Sequence, residues 1–414
     1  MPPARARAAA HRAWSRLPYF FIHTICIFYN NIREKVNGNL PNLHIFAPTM
    51  NYMWIILFLA LPLLGTAYVF THLYQMLPFS PALKWGILGV LGLCIFAFFA
   101  NFGLFDIDRW PLPVAAATYQ VGSSSLIILM YAILLFLLAD LGRLAHVIPS
   151  SLFRHSWPGT LLVVGLLLGI FTYAYFHYMD KVRQPIELRT DKPLEKPMKI
   201  VMLSDLHVGY LNRADELNRW IDLVNRENPD LILIGGDIID GHIRPLREEH
   251  AAAAFRRLKA PVVACLGNHE YYGGIPEAID FYREAGITLL RDSVVTIAGL
   301  NIIGRDDYSN RRCKPLKALT QGLDKRKYTI LLDHQPYHLE EAEREGIDFQ
   351  FSGHTHRGQM WPASLITDAV YEKSFGPHRK SDTQYYVSSG IGIWGGKFRL
   401  GTRSEYVVAT LDRH

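Results

Sequence analysis

Five short polar motifs between residues 205 and 356 carry side chains that could bind metal ions. Each motif alone is common in proteins, but together they supply a mixture of nitrogen and oxygen donors. Such a mixture suits two first-row ions such as manganese, iron or zinc, whereas magnesium alone would require more oxygen ligands. The motifs are Asp205-Leu206-His207, Gly236-Asp237, Gly267-Asn268-His269-Glu270, His334 and Gly353-His354-Thr355-His356.

Each motif follows a short apolar run of the kind that forms a buried strand. Between the first two runs, residues 213–227 predict an amphipathic helix. Apolar strands separated by helices predict a sheet that is covered on both faces, and polar residues after strand ends mark its functional edge. We therefore expect an α/β sandwich with its site at one edge. The runs are Lys199–Leu203, Leu231–Ile234, Pro261–Leu266, Thr329–Leu332, Phe349–Phe351 and Tyr385–Val387.

The order D-x-H, G-D, G-N-H-[DE], H, G-H-x-H resembles the calcineurin-like metallophosphoesterase superfamily over residues 198–414. The resemblance implies a four-layer α/β/β/α sandwich with two divalent metal ions. By this likeness, three side chains hold one ion, three hold the other, and Asp237 bridges them. The two sets are Asp205, His207 and His356, and Asn268, His334 and His354.

The same resemblance implies that His269 is catalytic without binding metal and that Asp240 orients it. Two adjacent cations can share a hydroxide, align it for in-line attack on phosphorus and stabilise the phosphoryl oxygens in the transition state. A histidine beside them could then donate a proton to the leaving oxygen. This chemistry would hydrolyse a phosphodiester or pyrophosphate bond.

Two further stretches, GHTHRGQMWP (353–362) and SSGIGIWGGKFRLGTRSE, resemble a membrane-tethered subgroup of these phosphoesterases. Some members of that subgroup resemble enzymes that hydrolyse lipid pyrophosphates, including UDP-2,3-diacylglucosamine. Arg357, Lys397 and Arg399 are then candidates for phosphate or headgroup contacts, the alternative being solvated surface charges. Asp306 and Asp307 are interpreted as turn residues rather than as support for the metal site.

Four stretches are long and apolar enough to cross a bilayer, which needs about 20 residues. None contains Asp, Glu, Lys or Arg, and none shows the polar face expected of a helix in a globular core. The sequence therefore predicts a bundle of four transmembrane helices within residues 50–180. The stretches are Met53–Leu73, Trp85–Phe105, Tyr119–Ala139 and Gly159–Tyr178.

Residues 1–49 form a basic N-terminal extension. We expect it to be disordered, or to lie upstream of a translation start at Met50 or Met53. A signal peptide is disfavoured because His23 interrupts the short apolar patch at 17–29 and no small-residue cleavage site follows.

Residues 181–197, which carry prolines and charges, predict a linker to the catalytic domain at 198–414. Positive charges after the fourth span favour a cytoplasmic catalytic domain by the positive-inside rule, with an outward-facing domain as the alternative. The positive residues on the side of the catalytic domain are Arg109, Lys181, Arg183, Arg189 and Lys192, and those on the other side are Lys84, Arg143 and Arg154.

The predicted function is that of a membrane-anchored phosphoesterase acting on a lipid substrate. Exposed apolar residues near the metal loops would favour this over a tethered phosphatase of soluble nucleotides or phosphoproteins, and Tyr271 and Tyr272 are candidates for such residues. A third alternative is a non-catalytic, metal-bound scaffold.

The net charge of +6 is not gathered into one basic stripe, so no nucleic acid partner is indicated. The four cysteines lack pair spacing, so neither a disulfide framework nor a zinc ribbon is indicated. No oligomeric state is predicted.

Overall fold

The computed structural model describes residues 47–101 and 105–414, with side chains from residue 60 onward. It divides into two compact units, of which one ends at Ala174 and the other runs from Tyr175 to His414. Residues 1–46 of the predicted N-terminal extension lie outside the described part of the chain.

The first unit is built from long apolar helices. Each of the four predicted spans lies mainly within one of them, although the second continues into residues 102–104, which are not described. Within the described residues, α2, α3 and α4 have the length and apolar composition needed to cross a membrane. The helices are α1 (Ala47–Met76), α2 (Pro81–Phe99), α3 (Leu112–Leu144) and α4 (Trp157–Met179), with short 3-10 turns at Ile107–Arg109 and Ser150–Phe153.

Asp140 ties α3 to α1 within this unit. Its Oδ2 accepts a hydrogen bond from the Tyr68 hydroxyl (2.8 Å) and lies 3.0 Å from Nε2 of His72. Arg143 donates to Oδ1 at 3.1 Å. A charged group in an apolar segment is costly unless it is paired, and these three partners supply that pairing. The third predicted span ends at Ala139, one residue before this aspartate.

The second unit contains two six-stranded sheets, with strand orders β1-β12-β2-β3-β4-β5 and β10-β11-β9-β8-β7-β6. All six predicted apolar runs form strands. The strands are β1 (Lys181–Thr190), β2 (Met198–Leu203), β3 (Leu231–Gly235), β4 (Val262–Cys265), β5 (Thr288–Leu289), β6 (Ser293–Ile297), β7 (Leu300–Gly304), β8 (Thr329–Leu332), β9 (Phe349–Ser352), β10 (Gly376–Lys380), β11 (Thr383–Val387) and β12 (Ser404–Arg413).

Helices connect these strands and lie outside the sheets. The predicted amphipathic helix at 213–227 is confirmed as α5. The helices of this unit are α5 (Ala214–Arg226), α6 (Arg244–Glu248), α7 (Ala251–Phe255), α8 (Asn268–Gly273), α9 (Ile275–Glu284), α10 (Leu316–Thr320), α11 (Leu339–Glu345) and α12 (Ala363–Val370), with a 3-10 turn at His356–Gly358.

Strand β1 occupies most of the segment that the sequence predicts as a linker, residues 181–197. It pairs in parallel with β12 along its whole length. Its side chains alternate, so that Leu188 and Ile186 pack against the core while Arg183, Glu187 and Arg189 are exposed. Pro185 is compatible with this because β1 is an edge strand, where proline is tolerated. The charges and prolines that suggest a linker are thus those of an amphipathic edge strand.

Three apolar clusters hold this unit together. One lies between the two sheets and includes Met202 of the first and Phe351 of the second. Another covers the outer face of the first sheet, where Ile232 belongs to the same cluster as Trp220 of α5. A third joins Leu331 of the second sheet to α10 and α11. Burial of such side chains on both faces of each sheet explains why the strands read as continuous apolar runs.

Candidate metal centre

The predicted metal ligands lie in loops at the carboxyl ends of five strands. Asp205 follows β2, Asp237 follows β3 and Asn268 follows β4 in the first sheet, whereas His334 follows β8 and His354 follows β9 in the second. Because β2, β3 and β4 are parallel, and β8 and β9 are also parallel, these ends meet at one edge of the sandwich.

Asp205, His207 and His356 form the first group of candidate ligands. Nε2 of His207 lies 3.0 Å from Nε2 of His356, and Oδ1 of Asp205 lies 3.4 Å from the latter atom. All three side chains are buried. Two imidazole nitrogens at this distance can share one proton at most, whereas a cation between them would use both lone pairs.

Asn268, His334 and His354 form the second group. Oδ1 of Asn268 lies 2.7 Å from Nδ1 of His354 and 3.2 Å from Nε2 of His334. Nδ1 of His334 lies 2.7 Å from the carbonyl oxygen of Gly235, which assigns the proton to Nδ1 and leaves Nε2 as a ligand atom. Burial, together with the nearby His334, lowers the pKa of His354 to about 3. Its neutral imidazole is the form that binds metal.

Asp237 lies between the two groups. Its Oδ2 is 3.1 Å from Nε2 of His334 and 3.6 Å from Nε2 of His207. Its Oδ1 accepts a hydrogen bond from the backbone N–H of His269 at 2.9 Å. The carboxylate is therefore held by one oxygen while the other faces ligand atoms of both groups.

Several of these residues adopt left-handed backbone conformations, with φ between 46° and 69°. Aspartate and histidine tolerate this region better than most residues, but such conformations usually persist only where the surrounding structure and function require them. Their concentration here indicates that the loops are shaped to turn side chains inward. The residues are Asp205, His207, Asp237, His354 and His356.

Two glycines allow the close approach of these loops. A Cβ atom on Gly267 would lie 2.2 Å from Oδ1 of Asp237, and one on Gly353 would lie 2.4 Å from Oδ2 of Asp205. Both distances are far below van der Waals contact, so any side chain at either position would displace a candidate ligand.

His269 lies beside the two groups and contacts Asp240. Oδ1 of Asp240 is 3.2 Å from Nδ1 of His269 and also 3.2 Å from Nδ1 of His207. Burial lowers the pKa of His269, but the carboxylates of Asp237 and Asp240 outweigh this effect and the net pKa is raised. His269 is thus more readily protonated than an ordinary histidine. The second contact of Asp240, to His207, was not predicted from the sequence.

The chemistry of the donor set fits divalent cations. Two clusters, Asp205-His207-His356 and Asp237-His334-His354, each bring their ligand atoms within 4.8 Å of one another, and a further cluster of this kind includes His269. Oδ2 of Asp205 is buried without a hydrogen-bond partner among the described residues. Burial also raises the pKa of Asp205, which shows that its charge is poorly solvated. A bound cation would satisfy this oxygen and compensate the buried charge.

Glu270 supports the centre and was given no role from the sequence. Its buried carboxylate accepts hydrogen bonds from the backbone N–H groups of Gly267 (2.8 Å), Asp237 (3.2 Å) and Ile239 (3.0 Å), and from the Tyr282 hydroxyl (3.2 Å). It therefore joins the loop after β3 to the loop after β4. The signal in the sequence is an acid three residues after Gly267, which is the spacing of a capping box at a helix start.

The three residues predicted to contact substrate differ in burial and in their partners. Arg357 is half-buried, with its guanidinium 4.9 Å above the ring of Phe375. Lys397 forms an ion pair with the buried Glu216. Arg399 is fully buried, and its Nη1 and Nη2 donate to main-chain carbonyls, including that of His356 at 3.0 Å. Arg399 therefore supports the His356 loop. Because it is fully buried, it does not make the contact with a substrate headgroup that the sequence predicts.

Asp307 accepts a hydrogen bond from the backbone N–H of Ser309 at 2.8 Å, as a turn residue does. Asp306 has a wider role, since it accepts hydrogen bonds from the Tyr271 hydroxyl (2.6 Å) and from Arg291 (2.7 Å). Tyr271 is thereby tied to the loop after β7. The hydroxyl of Tyr272 accepts a hydrogen bond from Nδ2 of Asn268 at 3.2 Å. Both tyrosines are thus engaged in polar contacts around the centre and are only partly exposed.

Between residues 180 and 414, all of which the structure describes, four large apolar side chains are exposed. Three of them lie at 361–366, directly after the His356 loop, and the fourth lies at 394. A hydrogen bond of 3.0 Å from Nε2 of Gln359 to the carbonyl oxygen of Trp394 joins the two segments. The ring of Trp394 is 6.3 Å from that of His269. We call these four side chains the apolar rim: Trp361 (50% exposed), Leu365 (60%), Ile366 (56%) and Trp394 (37%).

Comparison with known proteins agrees with this geometry. Residues 198–358 match the family profile described as calcineurin-like phosphoesterase. An uncharacterized metallophosphoesterase of Helicobacter pylori is 34% identical over 261 residues, which cover 60% of this chain and 70% of that protein. One from Aquifex aeolicus is 31% identical, over 60% of this chain and 98% of that protein. A Danio rerio protein named transmembrane protein with metallophosphoesterase domain is 25% identical, over 86% of this chain and 88% of that protein.

Proposed function

The chain belongs to the calcineurin-like metallophosphoesterases, and we propose that it is a membrane-anchored hydrolase of phosphodiester or pyrophosphate bonds that uses two divalent metal ions. The observation that carries this proposal is the position of Asp237, whose Oδ2 faces His334 at 3.1 Å and His207 at 3.6 Å. A carboxylate between two groups of nitrogen and oxygen ligands suits a shared ligand of two ions.

In this proposal each ligand group would hold one ion, and Asp237 would serve as a ligand to both. When bound, the ions would activate water for in-line attack and neutralise charge on the phosphoryl oxygens. The mixture of imidazole, amide and carboxylate donors suits manganese, iron or zinc. The ligands are Asp205, His207 and His356 for one ion, and Asn268, His334 and His354 for the other.

His269 would donate a proton to the leaving oxygen. The raised pKa of His269 supports this role because it increases the protonated fraction near neutral pH. The contact between its Nδ1 and Asp240 orients the ring, so that Nε2 is the atom expected to meet the substrate. Of the residues predicted to contact phosphate, Arg357 is only half-buried, so its guanidinium could reach a substrate.

We further propose that the substrate is amphiphilic, with UDP-2,3-diacylglucosamine as an example of the chemical class. The apolar rim supports this, because Trp394 lies beside His269 and the other three exposed side chains follow the His356 loop in the chain, where they would contact the acyl chains of such a substrate. A phosphatase of soluble nucleotides or phosphoproteins would not require an apolar surface there. A non-catalytic scaffold would have no need of a protonatable His269 held by Asp240.

The membrane arrangement is part of the proposal. We propose four spans, of which α2, α3 and α4 meet the criteria of length and composition within the described residues. We propose that the catalytic unit faces the cytoplasm, and the positive residues that follow the fourth span support this by the positive-inside rule. The clusters on both faces of both sheets support a four-layer α/β/β/α sandwich for that unit.

Hydrolysis by the detergent-solubilised full chain with manganese tests the proposal. The substrates would be a bis-aryl phosphodiester, a phosphomonoester and UDP-2,3-diacylglucosamine, each also assayed with His269→Ala. We expect preference for the lipid pyrophosphate and a roughly 10²–10⁴-fold loss of turnover in the variant, the size typical of lost general acid catalysis. Metal content should stay unchanged. Activity on the soluble diester alone would refute the lipid substrate, wild-type turnover by His269→Ala would refute its role, and no activity on any substrate would favour the scaffold.

A further inference from the structure

The last turn of α4 belongs to the compact unit that contains the metal centre, because that unit begins at Tyr175. Tyr178 in this turn is fully buried. Its hydroxyl lies 2.6 Å from Oε2 of Glu216 and 3.0 Å from Oδ1 of Asn212, both within hydrogen-bond distance. A residue at the end of a helix long enough to cross a membrane is therefore hydrogen-bonded inside the catalytic unit.

Asn212 links this hydroxyl to the backbone of the metal loop. Its Nδ2 donates to the carbonyl oxygens of Leu206 (3.1 Å), His207 (3.1 Å) and Ile393 (2.7 Å). The amide thus joins the loop that carries Asp205 and His207 to the segment before Trp394. Because Nδ2 faces these carbonyls, Oδ1 must face Tyr178, which fixes the orientation of the amide.

The surroundings of Tyr178 hold its ring in place. Nζ of Lys181 donates to the carbonyl of Tyr178 at 2.7 Å and lies 3.4 Å from the centre of its ring. Glu216 is itself fixed by its ion pair with Lys397. These contacts leave the Tyr178 hydroxyl in a single buried position, which is the condition for it to position another group.

We propose that Tyr178 is a positioning residue of the metal centre, through which the last turn of α4 holds the loop that bears Asp205 and His207. The proposal rests on the ligand set proposed above but not on the identity of the substrate. It makes the end of the membrane helix a structural part of the metal centre, in addition to its role as an anchor. Its consequence is that loss of one hydroxyl, far along the sequence from the ligands, weakens metal binding.

Titration of the full chain with Mn²⁺ alone, followed by metal analysis and by the shift in melting temperature, tests this in Tyr178→Phe. A buried hydrogen bond contributes about 1 kcal/mol, so we expect about a fivefold higher Kd for the ion at Asp205, His207 and His356. Saturating Mn²⁺ should restore wild-type kcat. The matched control is Tyr385→Phe, whose buried hydroxyl donates to the Leu339 carbonyl at 2.8 Å outside the metal loops. It should lower the melting temperature without changing the Kd.

Asn212→Ala provides the second variant. It removes the Nδ2 amide and with it all three contacts to the carbonyl oxygens of Leu206, His207 and Ile393, so we expect a larger rise in Kd than in Tyr178→Phe. If Tyr178 acts through Asn212, the double variant should bind Mn²⁺ no more weakly than Asn212→Ala alone. An unchanged Kd in Tyr178→Phe, or effects that multiply in the double variant, would overturn the proposal. If the unmodified protein binds no Mn²⁺, the ligand set fails and the role of Tyr178 fails with it.

Discussion

Replacing the two helical residues of the apolar rim tests whether it contacts a lipid substrate. The variant is Leu365→Ser with Ile366→Ser, both on α12. Trp394 is left in place because its ring is 6.3 Å from that of His269, so its loss could disturb the catalytic histidine directly. Both replaced side chains are largely exposed, and we therefore expect the variant to fold normally.

The magnitude follows from the area that a lipid would cover. Leu365 is 60% exposed and Ile366 is 56% exposed. Full burial of such a side chain contributes roughly 1.5–3 kcal/mol, so covering the exposed parts would contribute roughly 0.8–1.8 kcal/mol each and about 1.7–3.5 kcal/mol together. At about 1.4 kcal/mol per factor of ten, the variant should lose roughly 15- to 300-fold in kcat/KM on the lipid substrate.

The assay compares two substrates on the same preparations. UDP-2,3-diacylglucosamine would be presented in mixed micelles, and a bis-aryl phosphodiester without acyl chains would serve as the internal control. We expect the loss with the lipid only, mainly through KM, because the rim contributes binding and not chemistry. Equal kcat/KM for wild type and variant on the lipid would refute the reasoning. An equal loss on both substrates would show that the substitutions disturb the centre and would refute it as well.

Three further predictions concern the centre and its support. Asp237→Asn should lower metal occupancy, measured by elemental analysis, because it removes the negative charge that faces both ligand groups; full occupancy would contradict a bridging role. Glu270→Gln should destabilise the catalytic unit by roughly 1–3 kcal/mol, because the side-chain NH₂ group would face a buried backbone N–H whose hydrogen bond the Glu270 carboxylate now accepts. An unchanged melting temperature would show that these hydrogen bonds of Glu270 are dispensable. Removal of metal by a chelator should lower the melting temperature of wild type but not of Asp237→Asn, because only a protein that binds metal in its folded state gains stability from it.

The sequence predicted which polar motifs of the second unit come together at one edge of its sheets. The motifs come directly after apolar runs, and parallel strands place their carboxyl ends at a common edge, so Asp205, Asp237 and His334 could be expected to converge. The assignment to the metallophosphoesterases is confirmed by the comparisons. The candidate membrane helices α2, α3 and α4 were also predictable from the sequence, because a long uncharged run has few alternatives to a bilayer or a buried core.

Other features depended on packing between segments that lie far apart in the sequence. Arg399 resembles a phosphate ligand in the sequence, but it is buried against the carbonyl of His356, 43 residues away. The role of Glu270 depends on the four hydrogen bonds that its carboxylate accepts, and three of the donors come from other segments of the chain. Residues 181–190 resemble a linker because an amphipathic edge strand and a polar linker share charges and prolines.

The local pattern of residue types therefore determined which elements form and which side chains reach the edge of the sheets. The tertiary structure alone decided which polar groups remain accessible to a substrate and which are consumed in holding the loops. It also decided that the exposed Trp394 lies beside His269 and that Tyr178 at the end of α4 contacts Asn212, which is bonded to the carbonyl of His207. The physical reason is that burial and hydrogen bonding depend on neighbours in space, whereas the period of a strand or helix depends on neighbours in the sequence.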